Sequence, residues 1–202
     1  MTEIKFCGLK RPADIEAANE LSPQYIGFVF AKKSKRYVTP EKAKELKALL
    51  RPEIKAVGVF VNESAEVIAQ LLNEGVIDLA QLHGTEGKEE IAALRALTKK
   101  PLIQAFQIKS EKNLAAAEES AADLILLDSG AGTGATMDWE PLKSVKRPFF
   151  LAGGLDPVNV ADAIRTCHPF AVDVSSGIET DGVKDRDKMR AFQRAVKGGA
   201  DR

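Results

Sequence analysis

The sequence predicts an α/β fold of the (β/α)8 barrel class, because short apolar runs alternate eight times with segments that can form helices. The runs are rich in β-branched and aromatic residues, which is typical of strands covered on both faces in a parallel sheet. A doubly wound open sheet is the alternative, but that fold often has a glycine-rich phosphate turn after its first strand, and residues 7–10 form no such turn. The predicted strands are residues 3–7, 25–30, 56–61, 76–82, 101–106, 123–128, 148–152 and 169–174.

Helix signals follow several of these strands. Thr39 can cap a helix that begins at Pro40, and Asp156 followed by Pro157 repeats the same signal after the seventh strand. A short, irregular connection is expected after the sixth strand, where residues 129–138 are rich in glycine, serine and threonine. The predicted apolar helix faces are Ala43, Leu46 and Leu50, then Val67, Ile68, Leu71 and Leu72, and finally Met189, Phe192 and Val196.

Composition limits the function. We expect one domain spanning residues 1–202, since no linker or low-complexity tract interrupts the pattern. Lysine plus arginine equal aspartate plus glutamate at 29 each, and nothing in this balance suggests binding to nucleic acid or to an anionic membrane, which favour a net basic face. Two cysteines and two histidines suggest neither a disulfide framework nor a structural metal site. With no leader and no apolar run of about 18 residues, the chain is expected to be cytoplasmic.

Cys7 ends the first predicted strand and Gly8 follows it. In this fold the chemistry lies at the carboxyl ends of the strands, so we expect Cys7 at the rim of a cavity, where Gly8 lets the backbone approach a ligand. The alternative is a small buried hydrophobe. Cys167 precedes the eighth strand and should lie at the opposite face. A disulfide between the two is not expected, because a five-residue strand spans ~16 Å and bridged Cα atoms lie ~5.5 Å apart.

Asp128 ends the sixth predicted strand. A carboxylate at the end of an apolar run is costly unless it faces a polar cavity, although it could instead cap a turn. The loop 129–138 contains a pattern close to the dinucleotide-binding fingerprint, but only a short helix can follow it. We therefore interpret the loop as a flap over Asp128.

Two further loops, 151–155 and 173–179, follow the seventh and eighth strands. Barrels of this class commonly bind phosphate there through backbone N–H groups and hydroxyls, and ordinary tight turns are the alternative. The residues predicted to bind substrate in these loops are Gly153, Gly154, Ser175, Ser176 and Gly177.

Three more polar residues belong to the candidate site. Arg36 follows the second strand and offers a planar fork for a carboxylate, and His83 follows the fourth strand as a hydrogen-bonding residue. Lys5 shares a face of its strand with Cys7, so we expect it inside the barrel with Asp173 of the eighth strand as its partner.

The motifs "KFCGLK", "YIGFVF", "SKRYV", "VGVFVN", "QLHG", "LLDSGAGTG", "LAGGL" and "DVSSGIE" occur in this order. Together they resemble the phosphoribosylanthranilate isomerase family of tryptophan biosynthesis. Lys35 and Asp181 stand where family members commonly have proline, which affects loop rigidity rather than chemistry.

The resemblance implies an Amadori rearrangement of N-(5′-phosphoribosyl)anthranilate to 1-(2-carboxyphenylamino)-1-deoxyribulose 5-phosphate, with no cofactor and no metal. It implies that Cys7 is the general base, that Asp128 is the general acid and that Arg36 holds the anthranilate carboxylate. The expected partner is the small-molecule substrate, and the protein is expected to be a monomer or a homodimer.

This chemistry needs a protonated carboxyl group and a thiolate in one site. We therefore expect the pKa of Asp128 to be raised from ~3.9 by the apolar strand end and the flap. The pKa of Cys7 is expected to be lowered from ~8.5 by nearby cationic groups, such as the iminium ion of the substrate itself. One alternative is the related aminoaldose isomerase of histidine biosynthesis, in which a pair of aspartates is expected to act as the general acid and the general base. The other alternative is a non-catalytic protein that binds a phosphate-containing ligand.

Overall fold

Eight parallel strands form a closed barrel in the computed structural model, which describes residues 1–108, 110–130 and 139–199. Each strand pairs with the next, and β1 pairs with β8 to close the barrel, with Lys5 opposite Asp173. The barrel prediction is confirmed and the open sheet is excluded. The strands are β1 (Glu3–Cys7), β2 (Tyr25–Val29), β3 (Lys55–Phe60), β4 (Leu79–Leu82), β5 (Leu102–Gln107), β6 (Leu124–Asp128), β7 (Phe149–Ala152) and β8 (Ala171–Val174).

Helices follow seven of the eight strands, and a 3₁₀ helix at Glu140–Ser144 lies in the connection after β6. Thr39 caps α2 as predicted, since its hydroxyl oxygen accepts a hydrogen bond from the backbone N–H of Lys42 at 3.2 Å. Among these helices, none has the length and hydropathy of a membrane-spanning segment. The helices are α1 (Pro12–Leu21), α2 (Pro40–Leu49), α3 (Ala65–Asn73), α4 (Lys88–Leu97), α5 (Glu111–Glu118), α6 (Val160–Cys167) and α7 (Arg186–Gly199).

Two predicted details are wrong. Residues 76 and 77 belong to the predicted fourth strand, but their backbone N–H groups bond to the carbonyl of Leu71 and complete the end of α3. Val67 is 40% exposed, so it does not belong to the buried face of α3. The capping signal at Asp156 is present, since its carboxylate accepts hydrogen bonds from the backbone N–H groups of Val158 and Asn159, although α6 itself begins at Val160.

Alternate residues along each strand fill the inside of the barrel, and the others pack against the surrounding helices. The lower interior is apolar, with side chains such as Val57, Leu126 and Phe150. Polar and reactive side chains stand above this layer, at the carboxyl ends of the strands. The core therefore provides a rigid floor for one cavity.

A small hairpin extends the chain after β8. It consists of β9 (Glu179–Thr180) and β10 (Val183–Lys184), paired antiparallel with Lys184 opposite Glu179. The hairpin lies between β8 and α7 in sequence, and it brings two charged side chains to the rim of the barrel.

Candidate active site

A cavity of about 350 Å³ opens at the carboxyl ends of the strands. Larger surface cavities of about 700 and 680 Å³ lie around the 3₁₀ helix Glu140–Ser144, and they contain none of the predicted site residues. The carboxyl-end cavity brings together eight of the nine predicted site residues, and Gly177 is not part of its lining. The eight are Cys7, Arg36, His83, Asp128, Gly153, Gly154, Ser175 and Ser176.

Cys7 is the last residue of β1, and it is buried against Val29 and Val59. Gly27 on the neighbouring strand leaves room for the thiol, because a Cβ atom at that position would lie 2.7 Å from Cys7 Sγ. Gly27 is not among the predicted site residues, although a glycine inside a strand often marks a close approach of this kind.

Burial raises the pKa of the Cys7 thiol, and the charges of Lys5 and Lys184 only partly oppose this effect. In the protein without substrate, desolvation of the thiolate therefore outweighs the two lysines, and the pKa is raised rather than lowered. The lowering expected from the iminium ion of the substrate stays a prediction.

A buried ion pair lies below Cys7. Lys5 is fully buried, and its Nζ donates to Asp173 Oδ2 at 2.9 Å, as predicted. Burial alone would lower the pKa of Lys5, but the neighbouring Asp173 and Cys7 raise it above its ordinary value, so the ammonium stays charged. The second carboxylate oxygen of Asp173 is buried and has no hydrogen-bond partner among residues 1–108, 110–130 and 139–199.

Asp128 ends β6 and faces His83 across the cavity floor. Its Oδ2 lies 3.5 Å from His83 Nε2, and its Oδ1 accepts a hydrogen bond from the backbone N–H of Gly130 at 2.9 Å. The amide nitrogen of Gln81 contacts His83 Nδ1 at 2.7 Å. The other ring nitrogen, Nε2, faces Asp128, whose carboxylate oxygens can only accept, so a proton on Nε2 would be donated to Asp128.

Burial by itself would raise the pKa of Asp128, but the hydrogen bonds from His83 and Gly130 outweigh it and lower the pKa below its ordinary value. The expectation of a raised pKa named the apolar strand end and the flap, and for the described residues it is wrong because it overlooked these two donors. Most of the predicted flap, residues 131–138, lies outside the described residues, so its role stays a prediction.

Arg36 reaches the cavity from the loop after β2, and Glu179 of β9 holds it. Arg36 Nε and Nη2 donate to the two carboxylate oxygens of Glu179, each at 2.7 Å. Gly8 has a φ of +81° and lies under the arginine stem, because a Cβ atom there would be 2.3 Å from Arg36 Cδ. Glu179 was missed as a functional residue, although it ends the quoted motif "DVSSGIE".

The loops after β7 and β8 are packed tightly together. Gly153 has a φ of +99°, and a Cβ atom there would lie 2.6 Å from Asp128 Oδ1. A Cβ atom at Gly177 would lie 2.0 Å from the carbonyl oxygen of Leu155, so this glycine joins the two loops. The hydroxyl of Ser175 donates to the carbonyl of Cys7 at 3.1 Å and braces β1. Phosphate binding by these loops stays a prediction.

Cys167 is the last residue of α6 and is not part of the lining of the carboxyl-end cavity, and both cysteines are free. The prediction of no disulfide is confirmed. Its Sγ contacts the carbonyl of Ala163 at 3.1 Å, and burial raises its pKa to about 12. This thiol is inert near neutral pH.

Comparisons with known proteins agree with this geometry. A family model described as "N-(5'phosphoribosyl)anthranilate (PRA) isomerase" matches residues 4–195. The chain is 46% identical to an N-(5'-phosphoribosyl)anthranilate isomerase of Thermoanaerobacter sp. (strain X514), covering 98% of this chain and 99% of that one. The corresponding protein of Endomicrobium trichonymphae is 42% identical, with 94% and 95% covered.

Solved structures give the same result. The phosphoribosyl anthranilate isomerase of Thermotoga maritima superposes with a TM-score of 0.89 at 37% identity, covering 98% of this chain and 100% of that one. A further structure, with a TM-score of 0.87 at 37% identity and the same coverage, is a complex of such an isomerase with reduced 1-(o-carboxyphenylamino)-1-deoxyribulose 5-phosphate.

Proposed function

The chain belongs to the N-(5'-phosphoribosyl)anthranilate isomerase family, and on this premise we propose a role for each polar residue of the cavity. Its function is the Amadori rearrangement of N-(5′-phosphoribosyl)anthranilate to 1-(2-carboxyphenylamino)-1-deoxyribulose 5-phosphate in tryptophan biosynthesis. One observation carries the assignment of roles: a thiol from β1 and a carboxyl group from β6 line the same cavity.

Asp128 is the general acid. Opening the ribose ring requires a proton on the ring oxygen, and a carboxyl group at the rim of the cavity can deliver it. Asp128 is ionised in the resting protein, since its pKa is lowered by His83 and Gly130 despite its burial. Substrate binding excludes water and brings an anionic phosphate into the cavity, and both effects raise the pKa of the carboxyl group.

Cys7 is the general base. Ring opening leaves an iminium ion, which acidifies the proton on C2′, and a thiolate removes that proton to give an enolamine that tautomerises to the ketone. The positive iminium and the ammonium groups of Lys5 and Lys184 favour the thiolate at this step. The proton removed from C2′ then resides on sulfur, so the step needs no other co-reactant.

The remaining residues bind the two ends of the substrate. Arg36 pairs with the anthranilate carboxylate through its planar guanidinium. His83 lies beside Asp128 and contacts the bound substrate from that side. The loops that contain Gly153, Gly154 and Ser176 bind the phosphate through backbone N–H groups and a hydroxyl.

We also propose that residues 1–202 act as one catalytic domain in the cytoplasm, either as a monomer or as a homodimer. A relative from Thermotoga maritima, 36% identical, is described as dimeric and has also been obtained as monomers. Light scattering on the purified protein decides between the two states.

Genetic complementation tests the function. The wild-type chain should restore growth without tryptophan to a strain that lacks this isomerase step, and the Cys7→Ala variant, expressed at the same level, should not. Growth supported equally by both would contradict the role of Cys7. Absence of growth with soluble wild-type protein would contradict the function itself.

A further inference from the structure

The guanidinium of Arg36 is occupied on one edge and available on the other. Glu179 accepts from Nε and Nη2 at 2.7 Å each, which uses one of the two flat edges that a guanidinium offers to a carboxylate. Within the part of the chain that the structure describes, Nη1 makes no hydrogen bond, and Arg36 lines the cavity. The free Nη1/Nη2 edge is therefore the one left for a ligand.

Glu179 is itself held in place. Lys184 Nζ donates to Glu179 Oε1 at 2.6 Å, and also to the carbonyl and hydroxyl oxygens of Ser175 at 2.9 and 3.3 Å. Lys184 and Glu179 face each other across the β9–β10 hairpin, and their side chains are 2% and 9% exposed. The carboxylate therefore has a fixed position and direction.

The same contacts connect the arginine to the proposed base. The hydroxyl of Ser175 donates to the carbonyl of Cys7, and Gly8, the next residue, lies under the stem of Arg36. A chain of contacts thus runs from the backbone of Cys7 through Ser175, Lys184 and Glu179 to Arg36. Its members set the separation between the thiol and the free edge of the guanidinium.

We propose that Glu179 is a positioning residue for substrate recognition, which holds one edge of Arg36 so that the other edge binds the aromatic carboxylate of the substrate. This inference rests on the proposed function and adds a residue to it. A rigid arginine loses less side-chain entropy when it binds, and it discriminates more sharply for a planar carboxylate than a mobile one.

A competing arrangement would have the substrate carboxylate displace Glu179 from the guanidinium. The contacts argue against it, because Glu179 Oε1 accepts from both Arg36 Nε and the buried ammonium of Lys184. Moving this carboxylate away from Arg36 would also disturb its pair with Lys184, which is costly for a buried charge. Burial opposes ionisation of Glu179, but Arg36 and Lys184 outweigh it and lower its pKa to about 2, so the carboxylate keeps its charge throughout the neutral range.

A pair of probes tests the inference. One is reduced 1-(o-carboxyphenylamino)-1-deoxyribulose 5-phosphate, and the other is the same compound without the carboxyl group. Titration calorimetry gives the dissociation constants of both for the wild type and for Glu179→Gln. We expect Glu179→Gln to raise the dissociation constant of the carboxylated probe by about tenfold or more, and that of the other probe by less than about twofold.

Three further comparisons separate a positioning role of Glu179 from a general structural effect. Glu179→Asp keeps the negative charge on a shorter side chain. It should raise the dissociation constant of the carboxylated probe selectively, by less than Glu179→Gln does. In an Arg36→Met background, Glu179→Gln should have no further effect on the ratio of the two constants. Glu20→Gln is the matched control, because Glu20 pairs with Arg186 outside the cavity, and it should leave both constants unchanged.

Several outcomes overturn the inference. Equal weakening of both probes would assign Glu179 to loop structure alone, and tighter binding of the carboxylated probe would make Glu179 a competitor of the substrate. A wild-type protein that prefers the carboxylated probe, with that preference unchanged in Glu179→Gln, would overturn the inference and leave the proposed function intact. A wild-type protein that binds neither probe would overturn both.

Discussion

The two sides of the cavity are built from different interactions. On the side of β1 and β8, charged groups are paired: Lys5 with Asp173, and Glu179 with both Arg36 and Lys184. On the side of β4 and β6, the described contacts of Asp128 are with His83 and a backbone N–H group. The Cys7 thiol is therefore surrounded by fixed ionic pairs. The pKa of the Asp128 carboxyl group is instead set by two hydrogen-bond donors, of which the His83 side chain can be removed by substitution.

These different surroundings shift the pKa values of Cys7 and Asp128 in opposite directions. Burial raises the pKa of Cys7, and the donors lower the pKa of Asp128 despite its burial, so the resting protein holds a thiol and a carboxylate. The proposed mechanism needs a thiolate and a carboxyl group, which contain the same total number of protons. The active form is thus one proton transfer away from the resting form.

The largest predicted effect is on the chemical step itself. Cys7→Ser and Asp128→Asn should each lower kcat by about 10²–10⁴-fold, since each removes one of the two proton-transfer groups. Deuterium at C2′ should slow Cys7→Ser more than Asp128→Asn, because only the former makes C–H cleavage the slow step. Steady-state kinetics with both substrates measures this, and a near-wild-type kcat for either variant would contradict its role.

The buried ion pair below the thiol gives the next largest effect. Lys5→Met should lower the free energy of unfolding by about 3–5 kcal/mol, because it leaves the carboxylate of Asp173 buried without its partner. Urea denaturation followed by circular dichroism measures the loss. The matched control is Lys42→Met, which breaks an exposed pair with Glu45 and should cost about 1 kcal/mol or less. Similar losses of unfolding free energy in the two variants would show that the buried pair contributes no more to stability than the exposed one.

The sequence predicted the barrel and the position of the cavity well, because both follow from local patterns. Alternating strand and helix signals define the fold, and the last residue of a strand, such as Cys7 or Asp128, must lie at its carboxyl end. Lys5 was paired correctly with Asp173 because the first and last strands of a closed barrel are neighbours.

The direction of the pKa shift of Asp128 was predicted wrongly and Glu179 was not predicted, because both depend on contacts between residues distant in sequence. His83 reaches Asp128 across 45 positions, and Glu179 reaches Arg36 across 143. A strand pattern shows that a side chain faces the cavity but does not show which donors surround it. Gly27 was missed for the same reason, since its importance lies in the thiol of a neighbouring strand.

The acid side of the comparison can be tested through pH dependence. In the wild type, the acid limb of kcat/KM should lie below the ordinary pKa of an aspartate, since the pKa of Asp128 is lowered. His83→Asn removes a donor to the carboxylate, so the pKa of Asp128 should rise and the acid limb should move to higher pH. The alkaline limb, governed by Cys7, should not move. A shift of the alkaline limb alone would mean that the two sides had been assigned the wrong way round.

The side of the cavity that holds Cys7 can be tested by a steric substitution, which should have a smaller effect on kcat. Gly27→Ala places a methyl group 2.7 Å from Cys7 Sγ, so the thiol must rotate away from its position. We expect kcat to fall by about tenfold through loss of alignment, while the free energy of unfolding falls by only about 1–2 kcal/mol. Gly198→Ala is the matched control, because a Cβ atom at that helical position meets no other atom within 4 Å and should leave kcat unchanged. If Gly27→Ala kept the wild-type kcat, the position of the thiol would matter less than its electrostatic surroundings. The contrast between the two sides of the cavity would then rest on charge alone.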